Sequence, residues 1–392
     1  MRSALASWLG RKGKRSVPGG YADALLLLGA LHAYVGWHVG HDLPWQPWSA
    51  IAMWAWLVLS MVLIPAAFQR RRHGEFTLLN RAVSWAGYTA LGTLSSLVTT
   101  TFLRDIGFGM VDLLGWYPAG MVETSAALVV ASTVLLTGLG FWGAMKVARV
   151  VSVEIPIEGL DARLQGFTIA QLSDLHVGQT IRKGYVKRVV QRVNALNADL
   201  IALTGDMVDG TVEQLREHTG PLADLASRHG STAVIGNHEL YATAMPWVAE
   251  FRRLGMRVLL NEHHVVTHNG ARLVVAGVTD FTTDRFLPDL ASDPRKAMEG
   301  APADVTRVLL AHQPRSIGTV ERGSYALQLS GHTHRGQMWP LAPLVLLQQP
   351  VIRGLHRING MWLYVNGGTG FWGPPKRLFA PSEITRIILT RA

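Results

Sequence analysis

In the second half of this 392-residue chain, five apolar runs each stop at side chains able to hold a metal ion. FTIAQLSDLHVG carries Asp174 and His176, DLIALTGDMVDG carries Asp206 and Asp209, and STAVIGNHE carries Asn237, His238 and Glu239. VTRVLLAHQP brings His312, and YALQLSGHTH brings His332 and His334. In extended backbone, residues two apart point to the same side, so His332 and His334 can address one ion or two neighbouring ions. The chain has no cysteine, which excludes disulfides, thiolate zinc sites and cysteine nucleophiles. A donor set of oxygen and imidazole suits Mn²⁺, Fe, Zn²⁺ or Mg²⁺ and disfavours Cu(I). There are too many donors for one tetrahedral ion. Two ions about 3.5–4 Å apart and sharing a carboxylate would use them all, acidify a bridging water and hold a phosphoryl group for in-line attack.

These residues must be brought together by the elements that precede them. Short apolar runs alternate with helix-like segments after residue 150, the pattern of an α/β or α+β domain. RVVSVEIPIEG reads as a leading strand, and RKGYVKRVVQRVNALN has apolar residues at helical spacing with basic side chains opposite. In open α/β sheets, ligands collect at the carboxyl ends of strands, where adjacent loops converge. The five blocks are therefore expected to form one site. Glycines at 205, 236 and 331 remove a Cβ beside the ligands and let the backbone turn sharply there.

The first 150 residues are of another kind. Residues 24–41, 50–68, 82–103 and 124–145 contain no formally charged side chain. Each runs to roughly 20 residues, about what a helix needs to cross the hydrocarbon core. A membrane domain of about four transmembrane helices is expected over residues 1–150, and a second domain over 151–392. Arg2, Arg11, Lys12, Lys14 and Arg15 precede the first stretch, Arg70, Arg71, Arg72 and Arg81 lie between the second and third, and Lys146 and Arg149 follow the fourth. The alternate connections hold Arg104 alone. Positive-inside bias then places the N-terminus and the second domain in the cytoplasm. The net charge of +10 follows from that bias and from anionic lipid, and with no Arg/Lys block typical of a DNA-binding face, no nucleic-acid partner is expected.

DLHVG, GDMVD, GNHE, AHQP and GHTH, in that order, resemble the five signature blocks of the calcineurin-like metallophosphoesterase superfamily. The resemblance covers about residues 165–390. The GHTHRGQ variant and the tail LYVNGGTGFWGPPKRLFAPSEITRIIL look like the bacterial membrane-associated phosphodiesterase branch, which includes relatives acting on UDP-diacylglucosamine. It implies a two-sheet sandwich flanked by helices, two divalent metal ions with manganese foremost, and phosphoester hydrolysis. It further implies that Asp174, His176, Asp206 and His334 bind the first metal, that Asp206 bridges, and that Asn237, His312 and His332 complete the second. His238 is cast as the residue that contacts the phosphoryl group and helps the leaving oxygen depart, with Asp209 orienting it or a ligand. Gly210 and Thr211 follow Asp209 where protein phosphatases of the superfamily have Arg-Gly, which disfavours a protein substrate. Arg335 stands where the branch commonly has glycine, and is expected either to clamp a phosphate oxygen or to face solvent.

The remaining residues of note are given plainer expectations. His32, His38 and His41 are assigned to hydrogen bonding at helix contacts or the interface, His263, His264 and His268 to solvent, and Asp280 and Asp284 to loop capping. QMWPLAPLVLLQQPVIRGLHRI is apolar, broken by Pro340, Pro343 and Pro350, and edged by Arg353, His356 and Arg357. It is a poor spanning helix and suits either lipid contact or packing against neighbouring protein. The expected substrate is a phosphodiester or pyrophosphate on a lipid or nucleotide-sugar lipid. The competing expectations are hydrolysis of soluble cyclic nucleotides or small phosphodiesters, and a non-catalytic sensor or scaffold that retains metal.

Overall fold

The computed structural model of the protein describes residues 20–73, 77–115, 117–338 and 342–392. The basic residues from Arg2 to Arg15 and Pro340 lie outside these. The chain divides into two compact units. One holds residues 146–372 and 379–392, and the other holds the helices up to Met145 together with Gly373–Leu378.

The helical unit is built from α1 (Tyr21–Val39), α2 (Trp48–His73), α3 (Leu78–Leu114) and α4 (Met121–Met145). Three of them, over Tyr21–Val39, Trp48–Arg70 and Met121–Met145, are long and apolar enough to cross a membrane. That is one fewer than the four charge-free stretches suggest. α3 is the longest at 37 residues, but absence of charge does not make it apolar. Thr93, Thr99, Thr100 and Thr101 each turn a hydroxyl back onto a carbonyl one turn earlier. Such self-bonding satisfies a hydroxyl within its own helix, and Thr100 also meets Thr133 of α4 at 3.1 Å. Two of the histidines do what was expected of them. His32 bonds Ser60 across to α2 at 2.8 Å, and His38 pairs with Asp105 at 3.1 Å. Within this unit Lys376 is buried and donates to the Gly92 carbonyl and to the hydroxyls of Ser95 and Ser96, at 3.0, 2.9 and 2.6 Å.

The other unit is a sandwich of two six-stranded sheets. The first has the order β1 (Arg149–Ile157), β12 (Glu383–Arg391), β2 (Thr168–Leu172), β3 (Leu200–Thr204), β4 (Ser231–Val234) and β5 (Met256–Val258). The second runs β10 (Gly354–Ile358), β11 (Met361–Val365), β9 (Leu327–Ser330), β8 (Thr306–Leu310), β7 (Ala271–Gly277) and β6 (Glu262–His268). Ile169, Leu200 and Val234 of the first sheet and Leu273, Val308 and Leu329 of the second meet in one buried core. Strands buried on both faces read as unbroken apolar runs, which is why β2 and β3 show no alternation. The segment RVVSVEIPI forms β1, and the basic amphipathic segment forms α5 (Lys183–Asn194) with Val186, Val189, Val190 and Val193 buried.

β2, β3 and β4 are parallel, as are β7, β8 and β9. Their carboxyl ends therefore open in common directions, and the five blocks begin there. The histidines of β6 correct the expectation of solvation. His264 bonds Thr232, His263 bonds the Ala297 carbonyl, and His268 is buried beside His229.

Candidate metal centre

Each ligand block leaves its strand within two or three residues and bends at once. Asp174, His176, Asp206, His332 and His334 all have positive φ, between 49° and 69°. Non-glycine residues rarely adopt this region, and a run of them at one place marks backbone held in position by its surroundings. The surroundings are identifiable. The Asp174 carboxylate accepts the His332 N–H at 3.0 and 2.9 Å, and Asp206 Oδ1 accepts the His238 N–H at 2.8 Å. Glu239 is fully buried and accepts N–H groups from Gly236, Asp206, Met207 and Val208. One carboxylate thus ties the second block to the third. Burial and the neighbouring Asp206 charge push its pKa up to about 8, against the pull of those donors.

Three overlapping groups result, each with ligand atoms within 4.8 Å of one another: Asp174, His176 and His334; His176, Asp206 and His238; and Asp206, His312 and His332. His176 and His334 face each other through Nε2 at 2.9 Å, and His312 Nε2 meets His332 Nδ1 at 3.2 Å. The outward nitrogens are fixed by other partners. Asp209 Oδ1 lies 2.9 Å from His176 Nδ1 and 2.6 Å from His238 Nδ1, and the Thr204 carbonyl lies 2.8 Å from His312 Nδ1. A carboxylate and a carbonyl only accept, so these Nδ1 atoms carry the protons and the Nε2 lone pairs turn inward. Asn237 Oδ1 is buried and has no hydrogen-bond partner. A buried carbonyl oxygen left unpaired among the described residues, one position before His238, is what a hard cation would satisfy. The residues present fit divalent metal.

The acids and imidazoles also shift one another's charge. Burial alone would favour neutral Asp206, but His238 and His312 reverse this and hold its pKa well below the carboxylate range. Burial disfavours charge on His312 as well, yet Asp206 holds its pKa well above the usual value. Asp174 is likewise lowered against its burial by His334 and His312. His332 goes the other way, to about 3, through burial and the charge on His312.

Close packing explains Gly331. A Cβ there would overlap Ser173 Oγ and Asp174 Oδ2. Gly331→Ala should displace the Asp174 carboxylate, at a cost of about 1–3 kcal/mol for overpacking. The expected result is a folded protein whose metal content, measured by elemental analysis, falls well below that of the wild type.

The structure therefore brings together Asp174, His176, Asp206, Asp209, His238, His312, His332 and His334, with Asn237 next to His238 at the start of one short helix. It gives Arg335 a different partner from the two expected. Its guanidinium lies 3.0 Å from the buried carboxylate of Glu383 on β12. Asp280 caps its own loop by accepting from Thr282 N and Oγ1 at 2.8 and 2.6 Å. Two neighbours carried no signal in the blocks. The Tyr241 ring lies 5.4 Å from that of His238. Trp372 stands edge-on to His238 at 6.1 Å. Glu239 was visible as part of GNHE, without any sign of the four amides it would gather.

Comparison with known proteins agrees with this geometry. Residues 167–336 match the model of the calcineurin-like phosphoesterase family. A protein of Danio rerio described as a transmembrane protein with metallophosphoesterase domain is 31% identical over 95% of this chain and 89% of its own length. The chain belongs to the calcineurin-like phosphoesterases. A Bos taurus protein of the same description is also 31% identical, over 95% of this chain and 88% of its own. An uncharacterized metallophosphoesterase of Helicobacter pylori is 36% identical over 64% of this chain and 66% of its own. Family membership and the ligand groups make the chain a metal-dependent phosphoric ester hydrolase. The apolar helices and the full-length transmembrane relatives make it a membrane protein.

Proposed function

We propose that this protein hydrolyses a phosphodiester or pyrophosphate carried on a lipid or nucleotide-sugar lipid, using two divalent cations, of which manganese suits the oxygen and imidazole donors. The observation that carries the reading is the union in one chain of crossing-competent helices and a phosphoesterase site. An anchored enzyme meets membrane-borne substrate at high local concentration, so a bilayer is its natural partner. In this reading Asp174, His176, Asp206 and His334 hold one cation, and Asp206, Asn237, His312 and His332 hold the other. Metal bound there would acidify a water and polarise the phosphoryl oxygens.

The remaining work falls to the protein's own side chains. Asp209 fixes the proton of His238 on Nδ1, which leaves His238 Nε2 inside the site, 3.8 Å from Asp206 Oδ2. In the protonated ring, Nε2 is the atom able to give a proton to the departing oxygen. Tyr241 and Trp372 close the sides of that ring. Arg335 is paired with the buried Glu383 carboxylate, and we leave it out of the binding machinery.

We place the protein in an inner membrane with its phosphoesterase domain in the cytoplasm, following Lys146 and Arg149 beside the last helix. That placement needs α3 to cross along with the other three helices. Its internally bonded hydroxyls make this feasible within a helix bundle.

The test compares turnover of UDP-diacylglucosamine, a phospholipid, a cyclic nucleotide and bis-p-nitrophenyl phosphate by metal-loaded protein in micelles. Preference for the lipid-linked esters is expected. Equal or better turnover of the cyclic nucleotide would replace this reading with that of a soluble-diester hydrolase. No turnover of any ester, with metal bound, would favour a sensor.

A further inference from the structure

Among the cationic groups near the metal centre, Arg315 stands apart. It follows the ligand His312 by three residues and lies on the short helical turn Pro314–Thr319. Its guanidinium is half-buried and lies over the Phe281 ring, 4.3 Å from the centroid. Its Nε donates to Gln313 Oε1 at 2.7 Å. Gln313 is held in turn, since its amide nitrogen donates to both oxygens of Asp280 at 2.9 and 3.0 Å. Gln349 adds a second brace, donating to the same Gln313 oxygen at 3.2 Å and accepting the Arg315 N–H at 3.1 Å.

This arrangement fixes the stem and the plane of the guanidinium while leaving its two terminal amino groups without a partner among the described residues. No carboxylate among those residues lies within ion-pair distance of them. Asp280 is the nearest acidic influence, but its oxygens are already engaged by Gln313 and Thr282. Asp280 and Asp284 act on the guanidinium from a distance, but a guanidinium taken partly out of water with no carboxylate paired to it directly gains from an arriving anion. Burial draws its pKa below the ordinary value, a cost that a bound anion would offset.

Arg315 is coupled by charge to the site it adjoins in the chain. Burial, His312, Asp206 and Asp174 act most strongly on His332, and Arg315 follows them. It also acts together with Tyr241, whose ring adjoins His238. Arg315 thus lies within electrostatic reach of the ligand histidine and of the tyrosine beside the leaving-group histidine. An arginine there has its two free amino groups arranged as a fork that matches a phosphate.

We propose that Arg315 is a specificity-determining residue that binds a second phosphate, joined to the one under attack, so that the site selects pyrophosphate-linked substrates over lone phosphodiesters. This rests on the phosphoesterase reading above and narrows its substrate class. Gln313 and Phe281 act through Arg315 as positioning residues.

The experiment measures binding of inorganic pyrophosphate and of inorganic phosphate to the metal-loaded full chain by calorimetry. It uses wild type, Arg315→Ala and Arg315→Lys, with metal content determined for each. Arg315→Ala should keep its metal and bind phosphate as the wild type does, but lose about 10- to 100-fold in pyrophosphate affinity, the effect of one charge-assisted fork. Arg315→Lys keeps charge and stem but not the fork, and should lose on the order of 10-fold, which provides the comparison if the alanine protein does not fold. Equal losses for the two anions, or no loss for pyrophosphate in either variant, would overturn the proposal. Wild-type protein that holds metal yet binds neither anion would instead bring down the phosphoesterase reading, and this inference with it.

Discussion

Asp206→Asn should abolish metal loading and hydrolysis together. The carboxylate lies 3.1 Å from His312 Nε2, 3.8 Å from His238 Nε2 and 4.0 Å from His176 Nε2, so it is the one acid common to two of the three ligand groups. An amide of the same size keeps the shape but removes the charge. It also offers a nitrogen that no cation will accept as ligand. Loss of an outer partner alone costs roughly 10–100-fold in metal affinity, and loss of a shared inner ligand should cost at least that much. The buried imidazoles would then face one another without the anion that holds His312 charged in the metal-free site. Elemental analysis after dialysis, read beside turnover of bis-p-nitrophenyl phosphate, checks this. Asp206→Asn protein with full metal and full rate would remove the bridging role.

His238→Ala should separate what Asp206→Asn joins. The ring is held by Asp209 on one side and directs Nε2 into the site on the other. It is not needed to complete either of the groups built on Asp174, His176 and His334 or on Asp206, His312 and His332. Metal content should therefore match the wild type, while the rate falls by about 10²–10⁴. The deficit should shrink for substrates whose leaving group departs without a proton, such as p-nitrophenolate esters, compared with alkyl esters. A deficit of the same size for both leaving groups would point to phosphoryl binding, not proton donation, as the work of this residue.

What the sequence made legible follows from geometry that repeats. A polar residue just past an apolar run sits at a strand's end, and strands in parallel end on the same side. His332 and His334 could thus be assigned to a shared site with Asp174 from their positions alone. The contacts around Arg315 follow no such rule. Asp280, Gln313 and Gln349 come from three separate loops, and nothing local in any of them announces the others. Arg335 shows the opposite case: its neighbourhood in the chain is catalytic, but its partner Glu383 lies on β12, far along the chain. The helices add a chemical lesson. Counting charges treated 82–103 like its neighbours, although its threonines and serines make it the least apolar of the four. The β6 histidines are expected in solvent from their place beside a strand between the blocks, whereas the fold turns His264 onto Thr232 of β4 and His263 onto the Ala297 carbonyl.

The placement of Gly373–Leu378 among the helices has a consequence for how the molecule comes into being. Ribosomes deliver α1 to α4 to the membrane first, yet Lys376, which fills the space beside Ser95 and Ser96, is made 280 residues after Ser96. The anchor is thus finished only when the enzyme is nearly complete. A gene cut after Met145 would separate partners rather than domains, leaving the helices without their lysine and the excised enzyme with a buried hexapeptide turned out into water.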